Sequence, residues 1–227
     1  DIDGYGNYVI NVKNSQGKIT QSLYAFDSHS YTDGDYFGIL WKYDNIKDSQ
    51  VEWYKANVKK FNEQNGGETV KSTAFFHIPL AEYQDAWYEY IDNGFKDSEN
   101  VKYIHGVAGE GSNIVFPGIG EDGLFEAMTE LGSTKGIFCG HDHKNNFSVD
   151  YKGIRLSYGM SVDYLAYAGI SKLGSQRGCT VITYQPDGSF ESKNENYYQD
   201  KYAPKYEKEQ VTMQEVVQAD KVPEIEK

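Results

Sequence analysis

Gly136-Ile137-Phe138-Cys139-Gly140-His141-Asp142-His143-Lys144-Asn145 is the stretch on which the reading of this chain turns. A short apolar strand ends at a glycine, and two imidazoles two positions apart follow at its carboxyl end. Imidazole is the commonest side-chain metal ligand, and open α/β sheets place ligands just beyond the carboxyl ends of their strands. A third histidine stands in the same context, in Ala74-Phe75-Phe76-His77-Ile78-Pro79. Two strand ends that deliver His77, His141 and His143 suggest one metal centre. An H-x-H pair is common, so the spacing alone leaves ordinary loop histidines open as well.

Outward from that stretch, the hydrophobic periodicity predicts alternating strands and helices. Residues 7–12 alternate as a strand, 14–18 form a turn, and 22–26 form a second strand of a hairpin. A helix is expected from Asp48, with Asp48 or Ser49 as cap; Val51, Tyr54, Val58 and Phe61 share one face, and Asn65-Gly66-Gly67 stops it. Residues 73–76 read as a buried strand, which Pro79 prevents from continuing. Residues 80–92 read as a helix with an aromatic stripe of Tyr83, Trp87 and Tyr90. Residues 96–107 are polar, then weakly strand-like, and the glycine-rich segment 108–120 is a loop that shapes a site rim or merely connects. It lacks the closing Lys-Ser/Thr of a phosphate-binding loop. A helix over 122–131 precedes the histidine strand; 147–149 and 154–156 pair as a hairpin, and 180–184 pairs with 189–192.

Composition bounds the function. The 227 residues carry a formal charge of −12, and 39% are hydrophobic, with 20 tyrosines and 11 phenylalanines. That aromatic content predicts a packed globular protein, of a length that one α/β domain can fill. The acidic balance opposes nonspecific nucleic-acid binding, which needs clustered Lys and Arg. No apolar run approaches the ~20 residues that span a membrane. Cys139 and Cys179 both fall in predicted strands; buried free thiols are expected, with a disulfide open if the strands are neighbours. After residue 194 the chain becomes charged and glycine-free, which predicts a solvated tail over 195–227, with a short helix over 207–218 left open as an alternative.

G-H-D-H after an apolar strand, with F-H-I-P upstream, resembles the calcineurin-like metallophosphoesterases. Leu23-Tyr24-Ala25-Phe26-Asp27-Ser28 ahead of a helix bearing Gln50-Val51-Glu52-Trp53-Tyr54, and Gly123-Leu124-Phe125 opening the helix before the histidine strand, bring it closest to the branch near the purple acid phosphatases. The resemblance covers residues 5–185. It implies an α/β fold, part of a two-sheet αββα sandwich, with residues 1–194 forming the carboxyl-terminal half of such a domain. It implies phosphoester hydrolysis at two divalent or trivalent ions, Mn, Fe, Zn or Ni, about 4 Å apart. His77 and His141 would bind one ion and His143 the other, while Asp142 would point away. Tyr164 and Tyr167, in the Gly- and Tyr-rich segment 158–170, would face the substrate or simply pack.

Three of the family's motifs, D-x-H, G-D-x-x-D and G-N-H-[DE], are missing in usable positions. Asp27-Ser28-His29 spells D-x-H, yet it lies too close to His77 for the two intervening motifs, so His29 is expected to be a loop residue. The bridging carboxylate and the leaving-group histidine would lie in those missing motifs, so no catalytic residue is assigned within the chain. Asp1 in place of an initiator methionine fits a trimmed or fragmentary product. Such a fragment is expected to hold metal weakly, to show negligible activity alone, and to associate with the missing half or with itself. Two other readings stay open: a non-catalytic interaction module with a vestigial half-site, and a mononuclear zinc protein of another family using the three histidines.

Overall fold

Alternation in the first strand and a side-chain-braced turn generate the amino-terminal hairpin. In the computed structural model, which describes residues 1–32, 42–111, 113–162 and 178–195, β1 (Tyr8–Lys13) runs antiparallel to β2 (Ile19–Ala25). Asn14 Oδ1 closes the turn by accepting from the Gln16 and Lys18 amides, each at 3.0 Å.

α1 (Asp48–Gln64) then crosses to β3 (Ser72–Phe75). Its cap differs from expectation. Lys47 is the N-cap and Asp48 the first helical residue; Gln50 Oε1, reaching back, accepts the Lys47 amide at 2.8 Å. A glutamine at the third helical position satisfies an orphan donor that no Ser or Asp side chain reaches here. α2 (Ala81–Asp92), β4 (Val101–His105), α3 (Leu124–Leu131), β5 (Thr134–Cys139), β6 (Ser148–Tyr151), β7 (Ile154–Tyr158), β8 (Cys179–Tyr184) and β9 (Phe190–Glu195) complete the described elements. The weak strand signal of residues 96–107 resolves into β4; β8 ends where expected, and β9 runs past its expected end at residue 192 to Glu195.

The fold is α/β, as a partial sandwich. A seven-stranded mixed sheet has the order β1-β2-β3-β5-β7-β6-β4, and β8-β9 form a second, two-stranded sheet. β2, β3, β5 and β7 are parallel neighbours; β1, β6 and β4 are antiparallel additions at the flanks. The three helices lie on one face. Tyr54 of α1 bonds Thr134 Oγ1 of β5 at 2.8 Å, Tyr83 of α2 donates to the Ile137 carbonyl at 2.8 Å, and Phe125 of α3 meets Tyr151 at 5.7 Å between ring centroids. The aromatic stripe of α2 is core: Tyr83, Trp87 and Tyr90 are fully buried, and Trp87 stacks on Phe147 at 4.3 Å.

The β8-β9 hairpin sits on the opposite face. Tyr184 Oη meets Thr73 Oγ1 at 2.6 Å, and Phe190 packs on Phe138 with centroids 5.7 Å apart. Gly136 makes room for that ring, since a Cβ there would come within 2.4 Å of Phe190 Cζ. Cys139 and Cys179 are both free thiols, the first buried and the second half-buried. Tyr164, Tyr167 and the tail beyond residue 195 lie outside the described residues. No helix among the described residues is long and apolar enough to cross a membrane.

Candidate metal centre

Register places the histidines. β3 and β5 are parallel neighbours with Phe75 opposite Phe138, and their rings stack at 5.4 Å. The pairing continues past both strand ends: Phe76 donates to the Phe138 carbonyl and the Gly140 amide to the His77 carbonyl at 3.0 Å. His77 therefore emerges beside Gly140, one residue before His141. Glycine suits this contact, because a Cβ would stand 3.2 Å from His77 Nδ1 and the ring would have to give by a few tenths of an ångström. The His77 and His141 rings stand 5.3 Å apart and almost perpendicular.

Ser28 frames the first histidine. Its buried Oγ accepts the amides of His77 (3.2 Å) and Ile78 (2.9 Å), so the backbone bends where the strand ends. Asp27 and His29 do other work. Asp27 accepts from the Tyr5 and His29 amides, and His29, a loop residue at φ 60°, pairs through Nε2 with Gln50 Oε1 at 3.0 Å. The D-S-H string thus supports the site through its serine.

The second histidine sits in a tight turn. The Asp142 amide donates to the Gly140 carbonyl at 2.9 Å across His141, whose φ is 77°. Asp142 points inward, 5% exposed, and its Oδ2 accepts from Tyr158 Oη, the Phe116 amide and Asn145 Nδ2. Asn145, fully buried, also bonds the Glu110 amide and the Ile114 carbonyl, while Glu110 accepts the Lys144 amide. The glycine-rich loop is thereby stitched to the histidine turn.

Burial favours the neutral form of His77 and His141. Burial, then His77 and His143, push His141 down to about 4. Burial, then His143, lowers His77. Burial pushes the Asp142 carboxyl up to about 6, against the opposing hydrogen bonds. A neutral imidazole has the free lone pair that a metal needs.

The donor set is nevertheless incomplete. Among the described residues no three His, Cys, Asp or Glu side chains come together as a group that could hold an ion. A complete three-histidine zinc site does not form there, which removes the support for the mononuclear reading. β3 and β5 deliver one histidine each to the shared edge, and the charge of His143 acts on both His77 and His141. His77 and His141 fit part of a metal site and leave further ligands to come from elsewhere.

Sequence reading missed Tyr43 and Glu110. Tyr43 sets its ring edge-on to His141 at 4.1 Å, and its hydroxyl is raised by burial first, then by Tyr31, Asp142 and Glu110. No local motif marks either residue. The isolated Tyr31–Tyr43 bridge and the Ala108–Asn145 bridge bring their segments to the site, and such contacts have no sequence period.

Comparison with known proteins fits this arrangement. No family model matches the chain. It is 31% identical over 168 residues to "Probable inactive purple acid phosphatase 28" of Arabidopsis thaliana, covering 73% of this chain and 38% of that protein. It is 32% identical over 195 residues to "Probable inactive purple acid phosphatase 14" of the same plant, covering 81% and 44%. To "Phosphatase DCR2" of Saccharomyces cerevisiae it is 30% identical over 150 residues, covering 64% and 23%. The chain belongs to the calcineurin-like metallophosphoesterases, in their purple-acid-phosphatase-like branch. It spans less than half the length of the curated relatives it matches.

Proposed function

We propose that this chain supplies the His77, His141 and His143 part of a dinuclear centre for metal-dependent phosphoester hydrolysis. The observation that carries this reading is the meeting of His77 and His141 at adjacent parallel strand ends, 5.3 Å apart and held neutral by burial. When bound, ions at such a site polarise phosphoryl oxygens and acidify water. This chain's own residues orient the imidazoles: Ser28 fixes the His77 backbone, Gly140 admits its ring, and the turn at His141 aims the second ring at the first. Bridging and remaining ligands would come from other parts of a longer protein. The substrate is a phosphoester, monoester or diester, and the ions are drawn from Mn, Fe, Zn and Ni. Tyr164 and Tyr167 are kept as candidate substrate contacts. The proposed division is a metallophosphoesterase portion over residues 1–194 followed by residues 195–227, with β9 reaching Glu195.

A second reading, a non-catalytic module with a residual half-site, has its own support. Relatives carry "inactive" in their names, and no three-ligand group exists among the described residues. Hydrolysis of p-nitrophenyl phosphate with added Mn or Zn separates the readings. The expected result is negligible turnover for the 227-residue chain and robust turnover for a longer natural protein that contains it, abolished by His141→Ala. An inactive longer protein supports the module instead.

A further inference from the structure

We infer that Asp142 is a positioning residue: its Oδ2 locks the turn that aims the His141 imidazole at His77. The inference rests on the metal-centre reading for its functional meaning, though not for its geometry. The Gly140 carbonyl and Asp142 amide close a three-residue turn with His141 at φ 77° in the middle. A turn of this hand is rare and strained for any residue with a Cβ. Strained conformations persist where surrounding contacts over-determine them. Here the fixing contacts fall on the next residue. Three donors converge on one buried oxygen of Asp142: the Tyr158 hydroxyl at the end of β7, the Phe116 amide at 3.1 Å in the glycine-rich loop, and Asn145 Nδ2 at 3.2 Å. The Asp142 carbonyl takes the Asn145 amide at 3.0 Å. Asp142 is thus held from β7 and from the loop, and one peptide unit transmits that restraint to His141.

All three side-chain bonds go to Oδ2, so the role needs an acceptor and not a charge. An asparagine in the same place can present its carbonyl oxygen to the same donors. That separates positioning from direct ligation, where loss of the carboxylate would itself weaken metal binding.

The test uses the 227-residue chain with two readouts: the cross-peak between His77 and His141 ring protons in metal-free NMR spectra, and the apparent Co²⁺ affinity. Asp142→Asn should keep the cross-peak and the affinity to within about twofold, whereas Asp142→Ala should lose the cross-peak and weaken Co²⁺ at least about tenfold, as residues that orient ligands do. Should Asp142→Ala fail to fold by circular dichroism, Tyr158→Phe decides: it removes one donor and must weaken both readouts, with Co²⁺ affinity falling about threefold or more. An unchanged cross-peak in Asp142→Ala, or in Tyr158→Phe where the alanine variant does not fold, overturns the inference. So does an asparagine variant that loses affinity as fully as alanine while its cross-peak is intact. Wild-type chain that shows the cross-peak but whose Co²⁺ binding is indifferent to His141→Ala removes the metal reading alone; the cross-peak series still judges the positioning role.

Discussion

The two faces of the seven-stranded sheet are finished to different degrees. On the helix side Tyr24, Tyr54, Tyr83, Trp87, Phe147, Leu156 and Tyr158 are at most 1% exposed, with Tyr24 packed on Tyr54, and Tyr83, Trp87, Phe147 and Tyr158 packed together as a second group of rings. On the other side the β8-β9 hairpin covers the centre, while Tyr8, Ile10 and Val12 of the edge strand stand 56%, 54% and 43% exposed. Register places Ile10 beside Leu23 and Leu23 beside Thr73, so the exposed strip continues into the face that the hairpin caps. Both faces of β1 and β2 carry apolar side chains among polar ones: Tyr8, Ile10, Val12 and Leu23 on one side, Val9 and Tyr24 on the other. What differs is the supply of covering elements among the described residues: three helices on one side and two short strands on the other.

The largest effect should come from the finished face. Trp87→Ala removes a fully buried indole stacked on Phe147, and should destabilise the chain by about 3–5 kcal/mol in urea unfolding. A loss under about 1 kcal/mol would mean that the helix layer is not the main source of stability.

Phe190→Ala tests the hairpin's hold on the other face. The ring is only half-buried, against Phe138 and under Arg155, so a smaller loss of about 1–2 kcal/mol is expected. A loss equal to that of Trp87→Ala would erase the contrast between the faces.

Acid should act at the strand ends where His77 and His141 meet. Both titrate below the ordinary histidine value of 6.5, His141 at about 4. Their neutral forms are favoured by folding, so this contribution is complete above pH 6.5 and is lost as pH falls towards 4. Thermal unfolding of the metal-free chain at pH 7 and pH 5 should show a drop that shrinks in His141→Ala. An equal drop in the variant would place the acid sensitivity elsewhere, with His105, also pushed down to about 4 by burial and then Arg155, the next group to test.

The smallest stability effect belongs to the open strip. Ile10→Ser should change unfolding of the isolated chain by no more than about 0.5 kcal/mol, since the side chain is already half in water. Its effect should appear in association. Edge strands with exposed apolar side chains favour pairing with another chain. We expect light scattering at micromolar concentration to show self-association, or retention of another part of a longer protein, that Ile10→Ser reduces. A single monomeric species of wild-type chain, with no accompanying peptide, would show that the strip needs no cover.

Element type was legible wherever one period dominated. The 3.6-residue pattern in Val51, Tyr54, Val58 and Phe61 follows from which side chains meet the core, whereas the two-residue alternation of Tyr8, Ile10 and Val12 marks a strand whose apolar side is the exposed one. β4 was faint because apolar Ile104 falls on the exposed side and polar His105 on the inward side, although burial alternates along the strand. The α1 cap was misplaced because the capping group is a glutamine three residues downstream, not the acid at the start. Ser28 was passed over because its partners lie about fifty residues away, and Tyr43 because only a tertiary contact brings it to His141.

By itself, the sequence determined the identity of the histidines, their place after apolar strands and the family to which the chain belongs, because those features are local in the chain. Tertiary structure alone decided that β3 and β5 are adjacent and in register, so that His77 meets His141. It also decided that one oxygen of Asp142 gathers donors from three segments, and that the described residues cover one sheet face less fully than the other. Those outcomes depend on which strands pair and which helices arrive, and no window of sequence contains both partners of such a contact.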